Sequence, residues 1–170
     1  MAYDSSLRAK GSLPPISLAT LVVMIVSGAV ATVAFDLFGQ SLSPAAGFSG
    51  LAPVSLAKQT LKVLFGINSN PGGHFLHFVV AGTIGYPLGW MFIARPVIEK
   101  VLPGLGWFPA SVLYGIGLWV FAIGFMASFV AGNPFFLNFT GITWVALVGH
   151  VLYAVVCALV VDWLERAGLG

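Results

Sequence analysis

Three histidines and one aspartate are the residues of this sequence best equipped for chemistry. His74 and His77 stand three apart, which on a helix places both imidazoles on one face. Asp36 is the only acidic residue outside the segments expected on the cytoplasmic side, and His150 lies in a separate apolar run. Imidazole and carboxylate are ligand types for divalent metals, so Asp36, His74 and His77 could share an ion. The same three could instead pass a proton or a cation. A third chemistry would use His77 and His150 as axial ligands of a haem.

Depth argues against the haem. At about 1.5 Å of rise per residue, His77 would lie about 5 Å and His150 about 14 Å below helix starts near His74 and Gly141. A metal site also needs outer partners that orient its ligands, and the sequence names none. No cofactor is therefore assigned, with haem and a divalent metal kept as alternatives. The competing reading of each histidine is a hydrogen-bonded contact between helices, with His150 reaching a backbone carbonyl or Tyr114. Asp36 either pairs with His74 or His77 or sits at headgroup level, because an unpartnered carboxylate within a span costs on the order of 3 kcal/mol. No nucleophile stands in a readable arrangement with a base, and no phosphate-binding glycine loop occurs, so an enzyme is not expected. Cys157 has no cysteine partner for a disulfide.

The elements that must carry these residues follow from composition. Of 170 residues, 59% are hydrophobic and 7% are charged, too few charges to cover a water-facing surface. The net charge of +2 comes without a clustered basic face, so no nucleic acid is expected as a partner. Four apolar runs, 16–38, 74–94, 109–131 and 142–161, each approach the roughly 20 residues that cross a hydrocarbon core. Within that core every backbone polar group must be bonded internally, which makes the runs helices. The expected fold is an all-α bundle of four transmembrane helices, in one domain over 1–170. The first run could serve as a secretory signal, with Arg8 and Lys10 before it and Ala29, Val30, Ala31 as a cleavage motif. Its continuation to Phe38 favours a retained helix.

With both termini in the cytoplasm of a bacterium, Arg8, Lys10, Arg95, Lys100 and Arg166 lie inside the inner membrane and only Lys58 and Lys62 outside. Trp90, Trp107, Trp144 and Trp163 fall toward expected helix ends, where indoles favour the interface. Pro14 and Pro15 suit the start of the first helix. The long connection between the first two spans contains an amphipathic stretch, 54–67, expected to lie in the interface or cap the bundle. Asn68 to Gly73 should end that helix and redirect the chain. Pro87 should kink the second span.

Lipid gives helices no hydrophobic reason to associate, so small residues mark their contacts. Such stripes read Gly28, Thr32, Asp36 and Gly39 on the first span and His74, His77, Ala81, Gly85 and Gly89 on the second. They read Tyr114, Gly117, Gly124 and Ser128 on the third, and Ala146, His150, Ala154 and Cys157 on the fourth.

Gly28 with Ala31, Thr32 and Asp36, the segment from His77 to Gly85, and Gly149 with His150 resemble the uncharacterised YagU-like four-helix membrane proteins of bacteria. That resemblance implies a fold and no activity. The function expected is that of a non-catalytic membrane subunit, surrounded by lipid and docking onto other integral membrane polypeptides, for instance of an energy-transducing complex. The alternatives are an oligomeric transporter or channel that uses Asp36 and the histidines on that side, and a haem- or metal-binding electron carrier.

Overall fold

A computed structural model describes residues 11–169, which are helical without strands. Arg8 and Lys10 lie outside the described residues. Four long apolar helices, each able to cross a membrane, are α1 (Leu18–Ala45), α3 (Asn70–Val101), α4 (Trp107–Val130) and α5 (Gly141–Leu169). The shorter α2 (Pro53–Phe65) joins the first two.

Helix α1 begins later than its prolines suggest. The Ser17 hydroxyl caps it by accepting from the Thr20 N–H at 3.0 Å, and the Thr20 hydroxyl donates to the Pro15 carbonyl at 2.7 Å. At the other end of the connection, Ser69 caps α3 by accepting from Gly72. Asn70 to Gly73 therefore form the first turn of α3 rather than the breaker expected from their composition. Helix α3 also runs on to Val101, well beyond the expected limit at 94. Trp90 is consequently no interfacial anchor: it is 2% exposed, packed beside Tyr114 in the core. Trp107, Trp144 and Trp163 remain exposed.

Helix α5 is the centre of the bundle. Its buried positions run from Thr143 through Ala146, Gly149, His150, Ala154 and Cys157 to Val161, and it packs along its length against both α1 and α4. Glycines allow these approaches. A Cβ at Gly115 of α4 would stand 2.6 Å from the Cα of Val151, and one at Gly28 of α1 would collide with the Thr83 carbonyl of α3. Gly124 lies under the Phe136 ring, Gly89 beside the Tyr114 hydroxyl, and Ala146 and Ala154 are buried against neighbours. Two expected contacts are not made: Gly117 faces open space, and Gly85 is exposed.

For Gly85 the reason is winding. Phe75–Gly85 and Trp90–Ala94 of α3, and Val120–Val130 of α4, are π-helical, flanking Pro87 in α3. Their i→i+5 bonding moves side chains out of the phase that a 3.6-residue wheel assigns. Hence Gly82, five after His77, takes the inward place on α3, where a Cβ would meet Thr32.

At the end of the bundle where α1 begins and α5 finishes, Arg95 of α3 is pinned to α5. Its Nη1 donates to both oxygens of Glu165 at 2.9 Å, and its Nε donates to Glu99 at 3.1 Å. Glu165 is 5% exposed. At the opposite end, residues Phe136 to Phe139 between α4 and α5 have φ from 45° to 55°, a left-handed turn costing about 1–2 kcal/mol per residue. The turn is held by the Phe136 N–H donating to Ser128 Oγ at 2.9 Å and by Thr143 Oγ1 donating to the Phe136 carbonyl at 2.7 Å.

Removing one partner of a buried ion pair leaves the other uncompensated. Glu165→Ala should therefore lower stability by about 3 kcal/mol in mixed-micelle unfolding, whereas removing the exposed Arg166–Asp162 pair by Asp162→Ala should cost about 0.5 kcal/mol. Equal losses would contradict the assignment of Glu165 as the tie between α3 and α5. In the same assay Gly115→Val should cost about 3 kcal/mol through overpacking, with Gly117→Val close to neutral.

Candidate functional site

Helix α3 touches α4 only toward the end that carries Arg95. Toward the α2 end the two diverge, and the gap is a cavity of about 550 Å³. Helix α2 roofs it. Ala57 and Thr60 of α2 are buried, Lys58 Nζ donates to Asn70 Oδ1 at 2.8 Å, and Asn133 Nδ2 donates to Gln59 Oε1 at 3.0 Å. The amphipathic helix expected over 54–67 thus occupies Pro53–Phe65 and takes the capping role. Gly66, in the left-handed conformation that favours glycine, ends it.

The cavity floor is apolar and aromatic, with Phe35 of α1, Phe121 and Met126 of α4, and Tyr86 of α3. Outside the roof, polar side chains come from Thr32, His77, Tyr86, Asn133, His150 and Tyr153. No Lys, Arg, Asp or Glu lines the cavity among the described residues.

The four chemically able residues separate here. His77 Nε2 lies 3.0 and 3.1 Å from the two oxygens of Asp36, and Gln40 Nε2 donates to the same carboxylate at 2.7 Å. Both side chains of the pair are 13% exposed. Of the two histidines expected as partners of Asp36, His77 is the one that pairs with it. His74 is not brought to it: its ring is exposed and stacks on Phe78. His150 is 5% exposed, and its Nδ1 lies 2.7 Å from the Ala146 carbonyl. That carbonyl belongs to its own helix, so the expected interhelical hydrogen bond is not the one made. The Tyr114 hydroxyl instead donates to the Tyr86 carbonyl, and the Tyr153 hydroxyl to the Gly82 carbonyl.

Phe35 stands between the two inward histidines, with ring centroids 6.1 Å from His77 and 5.1 Å from His150. Both histidines thus pack against one phenyl ring. Among the described residues no three His, Cys, Asp or Glu side chains converge as a metal site would require. Cys157 is buried.

Tyr86 and Gly82 were absent from the stripe expected on α3 because both lie in or beside π-helical winding. A tyrosine next to a proline in the middle of an apolar run was the signal available for Tyr86: its hydroxyl needs a partner wherever it is buried. Comparison with protein-family models, with curated proteins and with solved structures finds no match to this chain.

A carbonyl can only accept, so the proton on His150 belongs to Nδ1, and in the neutral ring Nε2 keeps its lone pair. Nitrogen-15 spectra should show that tautomer for His150. Asp36→Ala should move the His77 resonances and leave those of His150 in place. A His150 ring protonated at Nε2 alone would contradict the hydrogen bond to Ala146.

Proposed function

We propose that this chain is a non-catalytic multi-pass membrane protein that holds a lipid-soluble ligand in the cleft between α3 and α4. The observation that carries the proposal is the cavity: its volume lies in the range of small-molecule sites, and its lining combines apolar walls with a few polar groups, as such sites do. It lies between helices able to span a membrane, so its ligand would arrive through the bilayer.

The setting of this activity is an accessory subunit of a larger assembly in a bacterial inner membrane, with both termini cytoplasmic. The charge distribution, five cations on the terminal side against two on the other, supports that orientation. Support for docking comes from the lipid-facing side of α4, where Phe121, Phe125 and Phe129 continue into Phe135 and Phe139 as a series of ring contacts. All five side chains are about half exposed or more, Phe121 also lining the cavity. The resemblance to YagU-like proteins is compatible with this reading and adds no activity to it. The second reading, an oligomeric transporter or channel, is favoured by one observation, the Asp36–His77 pair beside the cavity.

Native mass spectrometry from mild detergent should find the protein carrying an apolar small molecule together with polypeptides of other sequence. Ala81 lines the cavity, so Ala81→Phe should fill it and release the small molecule while helicity and elution volume stay unchanged. Protein that carries nothing before or after the substitution would refute the ligand-holding reading. Copies of this chain alone, exchanging cations in vesicles, would replace it with the transporter.

A further inference from the structure

The polar groups inside the cavity restrict what it can hold, an inference that rests on the ligand-binding reading above. His150 lines the cavity while nine-tenths of its surface and more is buried. Its Nδ1 is committed to the Ala146 carbonyl, which leaves Nε2 as an acceptor with no hydrogen bond among the described residues. Tyr86 also lines the cavity, its ring centroid 6.3 Å from that of His150. Its neighbours Tyr114 and Tyr153 spend their hydroxyls on backbone carbonyls of α3, whereas the Tyr86 hydroxyl makes no such bond. The side chains that carry this acceptor and this hydroxyl are therefore neighbours on the wall of a mostly apolar cavity.

We infer that the ligand is a neutral amphiphile bearing a ring hydroxyl, which donates to His150 Nε2 and accepts from the Tyr86 O–H. Three features define this class. The lining offers no cationic Lys or Arg, so a fatty acid or a phosphorylated lipid would bring an anion without a counter-charge. The unused nitrogen is an acceptor, so a ligand with only carbonyl oxygens would cover it without pairing it, and burying a polar group without a partner is costly. The walls around the pair are aromatic: Phe35 meets His150 edge-on at 5.1 Å and Tyr153 meets Tyr86 edge-on at 5.4 Å, a frame that suits a planar ring. Phenols and hydroquinones with an alkyl or isoprenoid tail meet all three conditions.

Two probes of nearly the same shape isolate the hydroxyl: 4-decylphenol and its methyl ether, 4-decylanisole, which keeps the oxygen and loses the donor. Binding of each to the full chain in nanodiscs is followed by displacement of a fluorescent lipid-soluble reporter. The phenol should bind about tenfold more tightly than the ether, the equivalent of 1.4 kcal/mol. His150→Phe keeps an aromatic ring beside Phe35 and should abolish that preference by weakening the phenol alone. Tyr86→Phe removes a donor that serves both oxygens, so it should weaken phenol and ether together and preserve their ratio. Equal binding of the two probes to the unaltered protein would overturn the hydroxyl assignment and leave the ligand-holding cleft intact. A preference that persists in His150→Phe would overturn the role of His150. Failure of both probes to bind would overturn the cleft reading with it. Should His150→Phe lose its fold, the Tyr86→Phe ratio and the unaltered protein still decide.

Discussion

Close contact between helix backbones, made possible by glycine, is the constraint on which this bundle depends. Lipid tails are as apolar as leucine, so burying a side chain between helices gains little from the hydrophobic effect, and dispersion at short range has to supply the attraction. Gly115 brings α4 onto the backbone of α5 at Val151, and Gly28 brings α1 onto the backbone of α3 at Thr83. Helix α5 thereby holds both α1 and α4, while α3 is held by α1. The remaining pair, α3 and α4, has no such contact over the half nearer α2, and the cleft is the geometric result.

Hydrogen bonds complete what packing begins, and they gather where the winding departs from the α-helix. In a bilayer each backbone carbonyl must find a donor within the protein. The Thr83 hydroxyl reaches back to the Phe78 carbonyl, and the Ser128 hydroxyl to the Ile123 carbonyl, each five residues earlier. Tyr153 supplies the Gly82 carbonyl from α5 and Tyr114 supplies the Tyr86 carbonyl from α4. The two tyrosine bonds tie α3 to the helices it barely touches through packing, and so fix the width of the cleft. The ion pair between Arg95 and Glu165 does the same work at the end where α1 begins and α5 finishes.

Much of the architecture was legible from hydropathy alone, because a run of about 20 apolar residues has few alternatives in lipid. The four spans, the amphipathic helix between the first two, and the pairing of Asp36 with a histidine on α3 were all available from residue type and spacing. Which histidine, and which glycines, were not. Those choices depend on helical phase, and a wheel drawn at 3.6 residues per turn assigns the wrong face wherever the chain adopts i→i+5 bonding. Thus Gly85 was expected at a contact that Gly82 makes, whereas Gly117 faces open space in a part of α4 that is α-helical, with Gly115 making the contact to α5. The ends of α3 were misplaced for another reason. Asn70, Pro71, Gly72 and Gly73 are poor helix formers, yet the Ser69 cap and the packing of Gly73 beneath Lys58 of α2 override their preference. The cavity had no sequence signature, since it arises from two helices failing to meet.

An empty apolar space of this size would be costly. At about 24 cal/mol per Å³, a cavity of several hundred Å³ would forfeit on the order of 10 kcal/mol if nothing filled it, comparable to the entire stability of many domains. Acyl chains that entered the cleft would restore dispersion contacts along Phe35, Phe121 and Met126. Acyl chains cannot, however, satisfy an imidazole lone pair or a phenolic hydroxyl. Lipid would thus relieve the apolar part of the cost and leave His150 and Tyr86 with the polar part. The difference in free energy between a tail that only fills and a ring that also bonds is what would let a scarce hydroxylated amphiphile displace the far more abundant lipid around it.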